Sequence, residues 1–340
     1  MLTPSSVLRP FSGSSRSRFP VFLAALLAFA PWGCSDSSGP SDDPSVPTTL
    51  TMVEGMGLQA PAGTILPEGP TVLVLDQYGD PMEGVTVRFD VTEGGGSAPF
   101  PTRATDVQGE ARVPWLLGEA GTGQRLEASA GGVSVEFQAT SIEPVPGESY
   151  MGRSNYIEYL PGSLPLVLSA GHGGDLRPTE IPDRTYGTMA RDTNTRELAL
   201  QIRDEIKEET GFYPHIIISH LHRTKLDPNR EVVEAAQGDP EAVRAWWEFQ
   251  TFIDEAERIV EEEFGEGFYI DLHGHGHTIQ RLELGYLLSS TDLNNSDEAL
   301  SSATYVNKSS IKALAEKPGV DFVALLRGPM SLGTLLEDEG

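Results

Sequence analysis

Phe268-Tyr269-Ile270-Asp271-Leu272-His273-Gly274-His275-Gly276-His277 opens as an apolar run of buried-strand length and closes on alternating histidines. Leu164 to Ser169, His215 to Ser219 and Leu284 to Ser289 are short apolar runs in the same half of the chain. Helical patterns alternate with them. Leu198, Ile202 and Ile206 recur at helical spacing, with Asn194 able to cap the start and Gly211 to end it. Asp239-Pro240 opens a longer helix as N-cap and first-turn proline. Trp246, Phe249, Ile253, Ala256 and Val260 keep its three-four rhythm, and Gly265 closes it. Strands alternating with helices predict an α/β domain, a mixed sheet flanked by helices on both faces. Ligands of such sheets gather at the carboxyl ends of strands.

All seven histidines fall between His172 and His277. Imidazole is the commonest metal ligand. His172-Gly173-Gly174-Asp175 also follows an apolar run, and its two glycines let an imidazole and a carboxylate fold onto one ion. His273, at another strand end, would complete the three protein ligands of a catalytic zinc site. One loop histidine alone is more often simply hydrogen-bonded; two strand ends with the same His-Gly signature shift the weight to metal. Asp271 would orient a histidine from behind. His275 and His277 either share that face or follow the loop into solvent, and His215, at a strand start, reads as structural. The loop from His220 to Glu231 collects arginines, Asp227 and Asn229. Arg223 or Arg230 would hold a substrate carboxylate there; the competing reading is a solvated loop whose charges pair with one another.

The first half has a different period. Val85, Val87, Phe89 and Val91 alternate with Thr86, Arg88 and Asp90, and Val133, Val135, Phe137 and Ala139 repeat the pattern. Turn signals at Tyr78-Gly79-Asp80-Pro81, Glu93-Gly94-Gly95-Gly96 and Ala130-Gly131-Gly132 separate the runs. Short alternating strands at this spacing predict a β-sandwich. Asp76-Gln77-Tyr78-Gly79-Asp80-Pro81, Gly84 to Phe89, Thr105-Asp106-Val107-Gln108-Gly109 and Trp115 to Gly121 resemble the bacterial Ig-like domains of the intimin and invasin type. The resemblance spans 49–142 and implies a spacer or adhesion module, with a protein partner through this domain possible.

The N-terminus reads as an export signal over 1–33: Arg9, Arg16 and Arg18 precede the apolar run Val21 to Ala30, too short to span a bilayer. Cys34, the only cysteine, then resembles the acylated residue of a bacterial lipoprotein, with free secretion as the alternative. Residues 34–48, rich in Ser, Asp and Pro, read as a disordered tether, and 143–152 as a linker. With 340 residues and 39% apolar composition the chain can bury two cores. Its net charge of -26, from 50 acidic against 24 basic residues, repels phosphate backbones and anionic headgroups. Nucleic acid is thereby excluded as a partner, and the membrane is reached only through the lipid. The expected place is the cell envelope, periplasmic or at the surface.

Residues 153–340 resemble the N-formylglutamate amidohydrolases, a zinc exopeptidase-like α/β family. The resemblance rests on His172-Gly173-Gly174-Asp175, Lys225-Leu226-Asp227-Pro228-Asn229-Arg230, Ile270 to His277 and Glu283-Leu284-Gly285-Tyr286. It implies Zn2+ on His172, Asp175 and His273, and Arg223, Asn229 and Arg230 facing a small-molecule or peptide substrate. The first loop offers Asp175 where the family more often has glutamate. The family's base glutamate comes from a late strand, whereas this sequence stops at Gly340, which suggests a C-terminal truncation and leaves Glu283 as the candidate base. The expected function is an exported zinc amidohydrolase cleaving an N-acyl amino acid or small peptide. The alternative is a non-catalytic surface adhesion or binding lipoprotein with a degenerate hydrolase domain.

Overall fold

The computed structural model describes residues 44–279 and 281–339, together with the backbone of residues 3–11. The apolar run Val21 to Ala30 and Cys34 lie outside the described residues. Thr3–Phe11 (β1) is extended. The end of the expected tether lies along the sandwich, where Ser45 Oγ donates to Asp76 Oδ2 at 3.0 Å and the Val46 N–H to Gln77 Oε1 at 3.0 Å.

Residues 49–142 form an Ig-like sandwich. Its strands are β2 (Thr49–Glu54), β3 (Leu58–Pro61), β4 (Thr71–Leu75), β5 (Thr86–Glu93), β6 (Thr102–Ala104), β7 (Glu110–Arg112), β8 (Gly123–Ala130) and β9 (Val133–Ile142). Among the described residues one sheet runs β2-β4-β7 and the other β3-β9-β8-β5-β6. The alternation seen in the sequence is the reason: Val87, Phe89 and Phe137 are fully buried, and Val85, Val91, Val133 and Val135 pack around them. Trp115 and Leu66 fill the space between the sheets. At the Asp76 turn, Oδ1 accepts from the N–H groups of Tyr78 (2.8 Å) and Asp80 (3.0 Å), and Gly79 supplies the required φ of 87°.

The second half is built on β10 (Tyr150–Met151), β11 (Ile157–Leu160), β12 (Leu166–Ala170), β13 (His215–Ser219), β14 (Gly267–His275) and β15 (Glu283–Gly285). The mixed sheet runs β10-β11-β13-β12-β14-β1-β15, with β12 parallel to both β13 and β14. Residues 3–11, part of the expected export signal, run antiparallel to β14 and parallel to β15. The expected linker already contributes β10. Helix α1 (Thr195–Thr210) covers one face through Leu198, Ala199 and Ile202, against Leu168, Ile216, Ile218 and Leu272. A short α2 (Val232–Ala236) precedes α3 (Pro240–Phe264), whose Ala245, Phe249, Phe252, Ala256 and Val260 cover the other face against Val167, Ile217 and Tyr269. Alternate residues of each strand thus feed opposite cores, which is why these strands read as continuous apolar runs.

Helix ends follow the sequence unevenly. Asp239 Oδ1 accepts the Ala242 N–H at 2.9 Å, as expected of an N-cap. Asn194 makes no side-chain cap and instead supplies a left-handed turn at φ 68°. The run Leu284 to Ser289 is strand only to Gly285, because Ser289 closes a capping box with Asp292 and starts a helix. Near the end of the described residues Gly328 separates the helices Phe322–Arg327 and Leu332–Glu339.

The halves meet along α3. Arg244, only 5% exposed, donates from Nη2 to the Leu66 carbonyl at 2.7 Å and to that of Pro67, and from Nε to Glu248 Oε1 at 3.0 Å. Glu248 in turn accepts the Arg153 N–H at 3.1 Å.

His215 is fully buried, with its Nδ1 2.9 Å from the Tyr159 hydroxyl, and burial pushes its pKa down to about 4. The unfolded chain takes up this proton below its ordinary value of about 6.5. Stability contributed by the neutral ring is therefore complete above that pH and is lost as pH falls towards 4. The expected loss is up to about 3 kcal/mol. Urea denaturation at pH 7 and pH 4.5 of the wild type and His215→Gln checks this; an equal pH slope in both would contradict it.

Candidate metal centre

β12 and β14 are adjacent and parallel, with Ser169 opposite Asp271, so their carboxyl ends open on one edge of the sheet. His172 follows the first strand, and His273 lies near the end of the second. The turn after β12 is shaped by close approach rather than by unusual torsions. A Cβ on Gly173 would lie 2.6 Å from Thr195 Oγ1, and one on Gly174 2.2 Å from the His220 carbonyl carbon. Gly274 likewise leaves room for Asp192, whose Oδ2 accepts the Gly274 N–H at 3.0 Å.

Three ligand atoms converge. His172 Nδ1 and His273 Nδ1 are 3.2 Å apart, and Asp192 Oδ2 lies 3.5 Å from the first and 3.2 Å from the second. Donors around a tetrahedral zinc, bound at about 2.0–2.1 Å, stand about 3.3–3.4 Å from one another. The far nitrogens are already engaged. His172 Nε2–H donates to Asp227 Oδ1 and His273 Nε2–H to Asp271 Oδ2, each at 2.7 Å. With both Nε2–H groups donating backwards, the two Nδ1 atoms and a carboxylate face one point, where protons shared with Asp192, or a cation that displaces them, balance the negative charge.

The carboxylates are held in turn. Asp227, fully buried, accepts from Arg223 Nε at 2.9 Å, with Arg184 Nη1 3.8 Å away. Asp271 accepts from Ser169 Oγ at 2.5 Å and from Asn229 Nδ2. Burial opposes ionisation of Asp192, but hydrogen bonds from His172, His273 and the Gly274 N–H outweigh it and hold its carboxyl well below the usual range. Asp227 is lowered despite burial by His172 and Arg223, and Asp271 by His273 and Ser169. Burial works against a charged His273, yet the Asp271 charge and hydrogen bonds to Asp192 and Asp271 raise it to about 10. Three carboxylates thus face two guanidinium groups, those of Arg223 and Arg184, and the surroundings favour further positive charge at the Nδ1 edge. Replacing Asp227→Asn should keep the ring in place but lower its basicity, weakening metal binding roughly 10–100-fold in a chelator competition. Unchanged affinity would contradict the orienting role.

The structure brings together His172 and His273 but not Asp175. Leu176 pairs with the next loop, its N–H donating to the His220 carbonyl at 2.9 Å and its carbonyl accepting the His222 N–H at 2.8 Å. That pairing turns Asp175 outward, its side chain 65% exposed and 3.9 Å from Arg191. Asp192, just before α1, takes the position expected of it. Glu283 does not join the group either; its Oε1 accepts from His277 Nδ1 at 2.8 Å and Arg281 Nε at 2.9 Å. With His275 these residues form a second histidine-carboxylate group, in which His277 is exposed and His275 buried. Arg223 is buried against Asp227 and Asp192 rather than open to substrate, Asn229 is half-buried against Asp271 and His273, and Arg230 is exposed, 3.5 Å from Glu234. His220 pairs with Glu158 at 2.9 Å.

No protein-family model and no curated protein matches the chain. Solved structures similar in fold to its Ig-like part include the S-layer protein SbsC domains 4 and 5, at 21% identity and TM-score 0.24, over 29% of this chain and 54% of that one. The D00-D0 domain of intimin matches at 19% identity and TM-score 0.23, over 32% and 51% of the two chains. The Yersinia pseudotuberculosis adhesin InvE matches at 15% identity and TM-score 0.25, over 35% and 42%. The chain thus spans about half the length of the first of these, 54%.

Proposed function

We propose that the second half of this chain is a zinc-dependent amidohydrolase, similar to the N-formylglutamate amidohydrolases, carried on an Ig-like spacer in the cell envelope. The observation that carries the reading is the convergence of His172 Nδ1, His273 Nδ1 and Asp192 Oδ2, each histidine held from behind by a buried aspartate. His172, Asp192 and His273 would hold the ion, which when bound supplies Lewis acidity towards a carbonyl oxygen and acidifies water. Asp227 and Asp271 orient the two rings, and Asn229 and Arg223 hold those aspartates. Arg230, exposed and 3.5 Å from Glu234, would be the group to receive a substrate carboxylate, which suits an N-acyl amino acid or small peptide. The apolar run Val21 to Ala30, which reads as part of an export signal, and Cys34 after it support an envelope location with a lipid anchor.

A second reading, a surface binding protein without catalysis, is favoured by a specific observation. Among the described residues no glutamate joins the His172 group, and Glu283, the expected base, is engaged by His277 and Arg281. Zinc content measured alongside hydrolysis of an N-acyl amino-acid panel separates the two. Zinc with turnover supports the hydrolase, zinc without turnover on any substrate the binding protein, and a chain that takes up no zinc overturns the metal centre.

A further inference from the structure

β14 ends at His275 and β15 opens at Glu283, and the turn between them folds His277 back onto the start of β15. A donor atom of each of these three side chains lies within 4.8 Å of the other two. His277 Nδ1 and Glu283 Oε1 are 2.8 Å apart, and the two imidazole rings pack at 4.8 Å between centroids, tilted by 35°. The group shares no residue with the His172 centre, and its carboxylate comes from β15 rather than from the loop before α1.

The donors suit a transition cation. His275 is buried, and its Nε2–H donates to the Arg281 carbonyl at 2.9 Å. A main-chain carbonyl behind an imidazole is a common support of a metal-bound histidine, and it makes Nδ1 the nitrogen with a lone pair to give. That lone pair accepts the His277 N–H at 3.2 Å, the long end of the hydrogen-bond range. The His277 Nδ1–H donates to Glu283, and a divalent cation displaces such a proton when it binds. His277 and Arg281 both donate to the single oxygen Oε1 of Glu283. Two imidazoles and a carboxylate are the donor set of an open zinc site, whereas calcium and magnesium favour oxygen alone. The His277 side chain is 63% exposed, so its ring has room to turn and bring the donors to the roughly 3.3–3.4 Å spacing around a tetrahedral ion.

We propose that His275, His277 and Glu283 form a second zinc site, open to solvent and weaker than the first. It is weaker because Arg281 Nε, 2.9 Å from Glu283, competes with the ion for that carboxylate. Its His277 is also far more exposed than His172 or His273, whose side chains are 1% and 22% exposed. At buffered zinc that loads only the first centre this site stays empty. The proposal does not depend on the amidohydrolase reading.

Zinc uptake by the intact Asp192→Ala chain, measured by equilibrium dialysis at free zinc well above that needed to load the first centre, isolates the second site. One zinc per chain is expected. Adding His277→Ala or Glu283→Gln should weaken that zinc by about tenfold or more, with the circular dichroism unchanged because both changes lie at the rim. Adding Arg281→Ala instead should tighten it, by up to about fivefold, because the competing cation is gone. An Asp192→Ala chain that takes up no zinc at the higher concentration, or one whose zinc is indifferent to His277→Ala and Glu283→Gln, would overturn the second site. Looser zinc on Arg281→Ala would overturn it as well, since the guanidinium would then be supporting the ion rather than competing with it.

Discussion

Asp192→Ala is expected to abolish stoichiometric zinc binding, while Asp175→Ala leaves it intact. The contrast follows from geometry. Asp192 Oδ2 lies within 3.5 Å of both Nδ1 atoms, whereas the Asp175 carboxylate is turned outward beside Arg191. Losing Asp192 removes one of three ligands and leaves two imidazole lone pairs with no anionic partner at the ion, so the loss in affinity should reach several orders of magnitude. Hydrolysis, where present, should fall with the metal. Equilibrium dialysis against buffered zinc followed by elemental analysis reads the result. Zinc retained by Asp192→Ala, or lost from Asp175→Ala, would overturn the ligand assignment.

Arg244→Ala should destabilise the chain by about 3–5 kcal/mol, the usual consequence of leaving one member of a buried ion pair alone. Glu248, 1% exposed, would then keep its charge without a cation, and the Leu66 and Pro67 carbonyls would lose their donor across the junction. Burial already pushes the Glu248 carboxyl above its ordinary range despite Arg244. Adding Glu248→Gln to Arg244→Ala should recover part of the loss by removing the stranded charge. Urea denaturation measures it, and a loss under about 1 kcal/mol would show that the junction is not held this way.

What the sequence makes legible is whatever is periodic or local. Val87 and Phe89 announce their strand by alternation, and Phe249, Ile253 and Val260 their helix by its 3.6-residue repeat. His172 and His273 stand out because each ends an apolar strand beside glycine. Asp192 does not: it sits in the loop before α1, where an aspartate reads as a helix-start residue, and tertiary contacts bring it to the histidines, its N–H donating to the His172 carbonyl at 3.0 Å and its side chain packing against Gly274. Asp175 is the nearer carboxylate in sequence, but the pairing of Leu176 with His220 and His222 is a tertiary fact that spacing cannot carry. Arg223 looked like a substrate ligand because a guanidinium in a strand-end loop suits a carboxylate; its actual carboxylates are Asp227 and Asp192 of the protein itself. The short helices after Ser289 give no periodic signal because most run only four to six residues, less than two turns.

The most direct measurement is zinc-edge X-ray absorption on the zinc-loaded intact chain. Two imidazole ligands with oxygen donors completing the sphere, at about 2.0–2.1 Å, are the result expected of His172, His273 and Asp192. Three or more imidazoles would place the ion elsewhere in the histidine run, and a sphere of oxygens alone would contradict a histidine-held centre.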